Sequence, residues 1–264
     1  MQIHGKHITT IISDLDGTLL GNGQKVPEEV FGMIAELEKR GVRFVVASGR
    51  QYNNVKLLFE PILYDIPFIC ENGSLIVEKE QTVFIKNIPR EVSDELIDDL
   101  LAIPNADTIV SSDRMQYTLG AKKEFLEFIN TFAKPVYGVD DYHKLPKEAN
   151  KISIWWETGQ IGKEEAWLRR KYADRLQVVD SGNGWLDFTM KDTNKGTALR
   201  RLAELEAFSL EEALCFGDSE NDVAMFRACG ISYAMATGRE YVKAEADYIC
   251  DNVIRKLQEF LQEK

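Results

Sequence analysis

At 264 residues, with 44% hydrophobic and 28% charged side chains, the chain has the composition of a folded protein and the length of one large domain or two ordinary ones, which excludes intrinsic disorder and collagen-like repeats. Its 43 acidic and 32 basic side chains leave a formal charge of -11, so long-range electrostatics oppose nucleic acid and anionic membranes as partners. No apolar run reaches the roughly 20 residues that span a bilayer, and the first ten residues lack a signal peptide's apolar segment, so a cytoplasmic protein is expected.

In chain order, residues 8–12 are a β-branched run that predicts a buried strand ending in Ser13-Asp14-Leu15-Asp16-Gly17. Pro27 starts a helix, Glu28 and Glu29 complement its positive end, and Gly41 stops it; Val30, Phe31, Ile34 and Leu37 form one apolar face. Residues 42–47 are a second strand, 52–59 a helix stopped by Pro61, and 67–70 a third strand before an Asn72-Gly73 turn. From about 75 to 185 the pattern changes. A hairpin at 74–78 and 82–87, helices near 93–101 and 163–172, and strands at 108–111, 152–156 and 185–189 imply a separate α+β module. After Asn194 the alternation resumes, with helix 197–206, strand 213–216, helix 221–228, strands 230–234 and 247–249, and a last helix carrying Ile254, Leu257 and Leu261 on one side. The expected fold class is α/β: a Rossmann-like parallel-sheet core, residues 1–80 and 188–264, interrupted by an inserted α+β cap, residues 81–187. Cys70, Cys215, Cys229 and Cys250 are far apart, without a CxxC pair, and read as buried free thiols.

Open α/β sheets collect reactive groups at the carboxyl ends of their strands, and three predicted strand ends carry polar clusters. Asp14 and Asp16, two apart, begin on one face, and Gly17 permits a sharp turn around them. Two carboxylates at 4 Å repel by about 4 kcal/mol at an effective dielectric near 20. The pair therefore requires a cation, as a nucleophilic aspartate and an acid/base partner around a hard divalent ion would have. Ser48-Gly49-Arg50 offers a hydroxyl and backbone N–H groups at a helix entrance, a form of anion site, although Ser-Gly is also an ordinary loop. In Gly217-Asp218-Ser219-Glu220-Asn221-Asp222 the two aspartates are four apart and can face one point, with Asn221 as a neutral partner. Capping explains one acid there but not the whole run. Lys195, just before a helix, is by itself an ordinary solvated charge.

Taken in order, Asp14-Leu15-Asp16-Gly17-Thr18-Leu19, Ser48-Gly49-Arg50, Lys195 and the run 217–222 resemble the four motifs of the haloacid-dehalogenase superfamily. The large insertion, with Glu71-Asn72-Gly73 just before it, resembles the Cof-type branch, subfamily IIB, of sugar-phosphate phosphatases. The resemblance implies that Asp14 is the nucleophile that forms an aspartyl-phosphate, and that Asp16 is the acid for the leaving alcohol and then the base for water. It implies Mg²⁺ as cofactor, held by an Asp14 oxygen, the Asp16 backbone carbonyl, Asp218 and waters, with Asp222 orienting the metal site. Ser48 and the Gly49 N–H, with Arg50 beside them, would bind phosphoryl oxygens, Lys195 would neutralise their charge, and Asn221 would reach the phosphate or the nucleophile's surroundings.

The expected activity is Mg²⁺-dependent hydrolysis of a small phosphorylated metabolite, a sugar phosphate, by a monomer or weak homodimer. A phosphomutase and a phospho-accepting signalling module are the alternatives, the latter leaving the insertion and Asp16 unexplained. Val253-Ile254-Arg255-Lys256 stands where members often carry a Gly-Val pair, and Ser74 replaces a small apolar residue; neither touches the phosphoryl-transfer residues. Trp155, Trp156, Trp185, Asp113, Arg114 and Tyr117 are candidate substrate contacts, although alternation sends adjacent strand tryptophans to opposite faces and one into a core. His4 and His7 read as surface residues of a short tail.

Overall fold

The structure is a computed structural model that describes residues 1–21, 25–119, 123–129 and 135–262. It divides into two compact units: one of Met1–Ser48, Val55–Val83 and the chain from Asn194 onward, the other of Gly49–Asn54 and Phe84–Thr193.

The first unit is built on an eight-stranded sheet in the order Tyr248–Cys250, Ile231–Met235, Ala213–Gly217, Thr10–Ser13, Arg43–Ala47, Phe68–Cys70, Leu75–Glu78, Gln81–Ile85. The first six are mutually parallel, and Leu75–Glu78 pairs antiparallel with Phe68–Cys70. Central strands buried on both faces carry continuous apolar runs, as Phe44 to Ala47 and Ala213 to Phe216 do. The hairpin read with the inserted module is therefore part of the core sheet. Its two-residue turn, Lys79 and Glu80, has both φ angles positive, which matches the twist of paired strands.

Helix Glu28–Lys39 buries Val30, Ile34 and Leu37, while Phe31 is half-buried. The helix packs against the last helix, Val253–Gln262. There the buried positions are Val253, Leu257 and Phe260, not the expected Ile254 and Leu261, which sit on the flank of the stripe. The helix expected at 221–228 is a 3₁₀ turn, Glu220–Asp222, followed by a short helix, Val223–Phe226. His4 lies not in a tail but in the small hairpin Gln2–Ile3 and Lys6–His7, its ring stacked on Tyr248. All four cysteines are free, with Cys70, Cys215 and Cys250 buried and Cys229 half-buried.

The second unit contains a six-stranded sheet in the order Val136–Val139, Met115–Leu119, Ala106–Ser112, Lys151–Trp156, Trp185–Met190, Leu176–Gly182. All pairings are antiparallel except the first. One face packs Val110, Ile152, Ile154, Trp156, Leu186 and Phe188 against helices Arg90–Leu101 and Glu165–Tyr172. Trp155 points to the other face and stacks on Phe125 beside Trp185. The alternation expected of adjacent strand tryptophans holds, with Trp156 as the core member. No helix of the described residues is long and apolar enough to cross a membrane.

Leu257 has no exposed surface, so Leu257→Ala should cost about 2–5 kcal/mol of unfolding free energy. The exposed Leu205 replaced by Ala should stay within about 0.5 kcal/mol of wild type. Urea titration of the two variants checks both figures.

Candidate active site

Thr10–Ser13 lies between Ala213–Gly217 and Arg43–Ala47, all parallel, so three carboxyl ends stand side by side. Asp14 follows the first, Asp218 the second and Ser48 the third. The Asp14 N–H donates to Phe216 O at 3.0 Å, continuing the ladder one residue past the strand. The chain then folds back through Gly17, whose φ is +77°. A Cβ on Gly17 would stand 2.5 Å from Asp218 Oδ2, so glycine both permits the turn and leaves room for the facing carboxylate.

Lys195 is the first residue of helix Lys195–Glu206, whose start is fixed by reciprocal hydrogen bonds between Asn194 and Thr197. Its side chain is wholly buried, contrary to the solvated charge a lone lysine ordinarily is. Its ammonium donates to Asp14 Oδ1 at 2.6 Å and to Asp222 Oδ1 at 2.6 Å. The second Asp222 oxygen accepts the N–H groups of Asp218 at 2.9 Å and Ser219 at 3.0 Å, tying the loop to the lysine. Asp218 is oriented by Thr18 Oγ1, which donates to Oδ1 at 3.2 Å, and by Ser219 Oγ, which donates to Oδ2 at 3.1 Å.

One ligand oxygen each from Asp14, Asp218 and Asp222 lies within 4.8 Å of the others. One ammonium contacts two of these three carboxylates. Burial, reinforced by Asp222 and Asp218, pushes the Asp14 carboxyl up to about 8 against the downward pull of Lys195. Burial and Asp222 also raise Asp218. Burial alone would lower Lys195, but Asp14 and Asp222 outweigh it and hold the ammonium above its ordinary range. Clustered hard oxygen donors with negative charge left over fit a divalent cation. Asp16 is exposed and outside this three-carboxylate group.

Ser48 is buried; its N–H donates to Ile69 O at 2.8 Å and its carbonyl accepts from the Asn72 N–H at 3.3 Å. Asn72, in a left-handed conformation with φ 56°, accepts from Asn221 Nδ2 at 2.9 Å. The loops bearing Ser48 and Asn221 are thus joined through a residue to which the sequence reading gave no role. Gly73, beside it, has no room for a Cβ, which would lie 2.3 Å from Asn194 O. Gly49 and Arg50 are half-buried and group with the second unit; the Gly49 carbonyl accepts from Lys151 Nζ at 2.9 Å. The sequence reading also assigned nothing to Thr18 or Lys151. Thr18 had a signal in its motif; Lys151, 102 residues from Gly49, had none.

Gly17→Ala should displace Asp218 and weaken divalent-ion binding at least about tenfold, which calorimetric titration with Mg²⁺ would read. A carboxyl whose folded pKa exceeds its unfolded value of about 3.9 stabilises the protein at low pH and loses that contribution as pH rises. Without metal, the Asp14 contribution should therefore decline from about pH 4 and level off above about 8. Melting curves in chelator, with Asp14→Asn as a reference lacking this term, check the sign.

A family model for haloacid dehalogenase-like hydrolases matches residues 11–254. The chain is 30% identical over 246 residues to the Escherichia coli 5-amino-6-(5-phospho-D-ribitylamino)uracil phosphatase YbjI, covering 91% of this chain and 90% of that protein. It is 27% identical to the Bacillus subtilis phosphatase of the same description, YcsE, over 94% of this chain and 91% of the relative. A solved haloacid dehalogenase-like hydrolase from B. subtilis superposes with a TM-score of 0.81 at 25% identity, covering 95% of this chain and 99% of that one. With Asp14, Ser48 and the acidic loop 217–222 at three strand ends and a buried Lys195 at a helix start, in the expected order, the chain belongs to the haloacid dehalogenase-like hydrolases, as a Cof-type phosphatase.

Proposed function

We propose that the protein is a Mg²⁺-dependent phosphatase that hydrolyses a small phosphorylated metabolite, a sugar or sugar-alcohol phosphate, through a phosphoryl group carried on Asp14. The observation that carries this reading is the fully buried Lys195 held 2.6 Å from both Asp14 and Asp222. A carboxylate approaching a phosphate dianion meets Coulomb repulsion, and only fixed positive charge at the point of attack removes it. Lys195 holds Oδ1 of Asp14, which directs the other oxygen to phosphorus. As the Asp14 O–P bond forms and the ester P–O bond breaks, Asp16 protonates the departing alcohol. Asp16 then takes a proton from the water that attacks the aspartyl-phosphate. Its exposure suits a group that exchanges protons with water.

Asp14, Asp218 and the Asp16 backbone carbonyl would hold Mg²⁺, which would supply positive charge at the phosphoryl oxygens. Asp222 fixes Lys195 and the 218–219 backbone, and both of its oxygens are engaged in doing so. Ser48 and the Gly49 N–H receive phosphoryl oxygens. The inserted α+β unit acts as a cap that selects the alcohol portion. The two curated relatives act on a phosphorylated ribityl chain, which supports a polyol phosphate as the substrate class.

Asp14→Asn should abolish phosphate release, by at least about 10³-fold, in a protein that still melts cooperatively. Asp218→Ala should raise the Mg²⁺ concentration needed for half-maximal rate by about tenfold or more. Phosphate release from a panel of phosphorylated metabolites, with and without Mg²⁺, measures both; turnover retained by Asp14→Asn would overturn the mechanism.

A further inference from the structure

We infer that Lys151 is a positioning residue for phosphoryl binding: it fixes the Gly49–Arg50 peptide, and Asp187 holds the lysine in place. The inference rests on the proposed phosphoryl-binding role of the segment that begins with Ser48 and Gly49, and adds the Arg50 N–H to its donors.

Lys151, Ser153 and Trp155 alternate along one strand and share a face of the second unit's sheet. The register sets Asp187 opposite Ser153. Asp187 Oδ1 accepts from Ser153 Oγ at 2.6 Å, and Oδ2 accepts from Ser181 Oγ at 2.7 Å. Lys151 Nζ lies 3.6 Å from the same Oδ2, and both members of the pair are nearly buried. A buried ammonium is tolerated only when paired and hydrogen-bonded. This one is paired with Asp187 and gives a hydrogen bond, at 2.9 Å, to the carbonyl of Gly49.

Two further contacts hold the same segment. Gln51 Nε2 and Asn53 Nδ2 both donate to the Arg114 carbonyl, the latter at 2.8 Å. Arg114 sits with Asp113 at the turn between two strands, both residues at positive φ, and its guanidinium lies over the Tyr52 ring. Residues 49, 51 and 53 are thus fixed in succession, immediately after Ser48 is tied by its N–H to Ile69 O.

A peptide is planar and trans, so anchoring the Gly49 carbonyl also sets the direction of the Arg50 N–H, which points the opposite way. An ammonium on that carbonyl strengthens the same peptide's N–H as a donor. Lys151 therefore acts on the part common to all phosphate esters and not on the alcohol. Misplacing such a group by about 1 Å costs about 100-fold in rate.

Lys151→Met, close to isosteric, and Lys151→Arg are compared with wild type in the full chain with Mg²⁺. The inference expects kcat/KM of Lys151→Met to fall about 10- to 100-fold, and by the same factor for p-nitrophenyl phosphate, a hexose phosphate and glycerol phosphate. Inhibition by inorganic phosphate should weaken in parallel, and the Arg50 amide resonance should move. Lys151→Arg should recover part of each effect. Ser181→Ala, which loosens Asp187 while leaving the ammonium, should give the same pattern on a smaller scale. A loss that differs between alcohols, or an unchanged inhibition by phosphate, would overturn the inference. If wild type releases phosphate from no ester, the functional reading fails by itself. The amide shift and the binding of inorganic phosphate then still decide whether Lys151 sets the loop, a static Arg50 amide overturning it.

Discussion

One ammonium between two aspartates organises this site. Lys195 reaches Asp14 on the central strand and Asp222 on the loop after Ala213–Gly217, and each contact is 2.6 Å long with no water-exposed surface on the lysine. A buried charge of this kind costs several kcal/mol to desolvate, so its partners must be held rigidly if it is to persist. The backbone supplies that rigidity. Asp14 extends a strand ladder, Asp222 accepts two backbone N–H groups, and Lys195 sits at a helix start capped by Asn194 and Thr197. Among the described residues, the third acid, Asp218, meets hydroxyl donors on its oxygens, from Thr18 and Ser219.

Much of this was legible in the residue order. The two-residue spacing of Asp14 and Asp16 and the four-residue spacing of Asp218 and Asp222 put acids at strand ends, because strands bury apolar runs and stop where polar groups begin. The lysine was legible only through the family pattern, since nothing local to Lys195 distinguishes a buried ammonium from a solvated one. The cross-links Asn72 to Asn221 and Lys151 to Gly49 join residues 149 and 102 apart, and no local pattern encodes such pairs.

The second unit was the harder part for a related reason. Strands Met115–Leu119, Val136–Val139 and Leu176–Gly182 went unread. They occupy both edges of the sheet and the place beside one of them, mix Gln, Thr, Asp, Ser and Gly with apolar residues and, except in Met115–Leu119, lack clean alternation. In the last helix, Ile254, Leu257 and Leu261 match a 3.6-residue period, but so do Val253, Leu257 and Phe260. Packing against helix Glu28–Lys39 selects the second set.

The strand that carries Asp14 has consequences for how the chain assembles. Thr10–Ser13 obtains one neighbour, Arg43–Ala47, early in synthesis, but the other, Ala213–Gly217, only some 200 residues later. Until then the sheet is open on that flank, and its aspartate has neither its lysine nor its opposing loop. A nascent chain stalled before residue 195 would present an unfinished edge, which is the state that chaperones bind and in which neighbouring chains pair wrongly. Because such distant closure is slow, acquisition of this arrangement of charges is expected to be among the last events of folding.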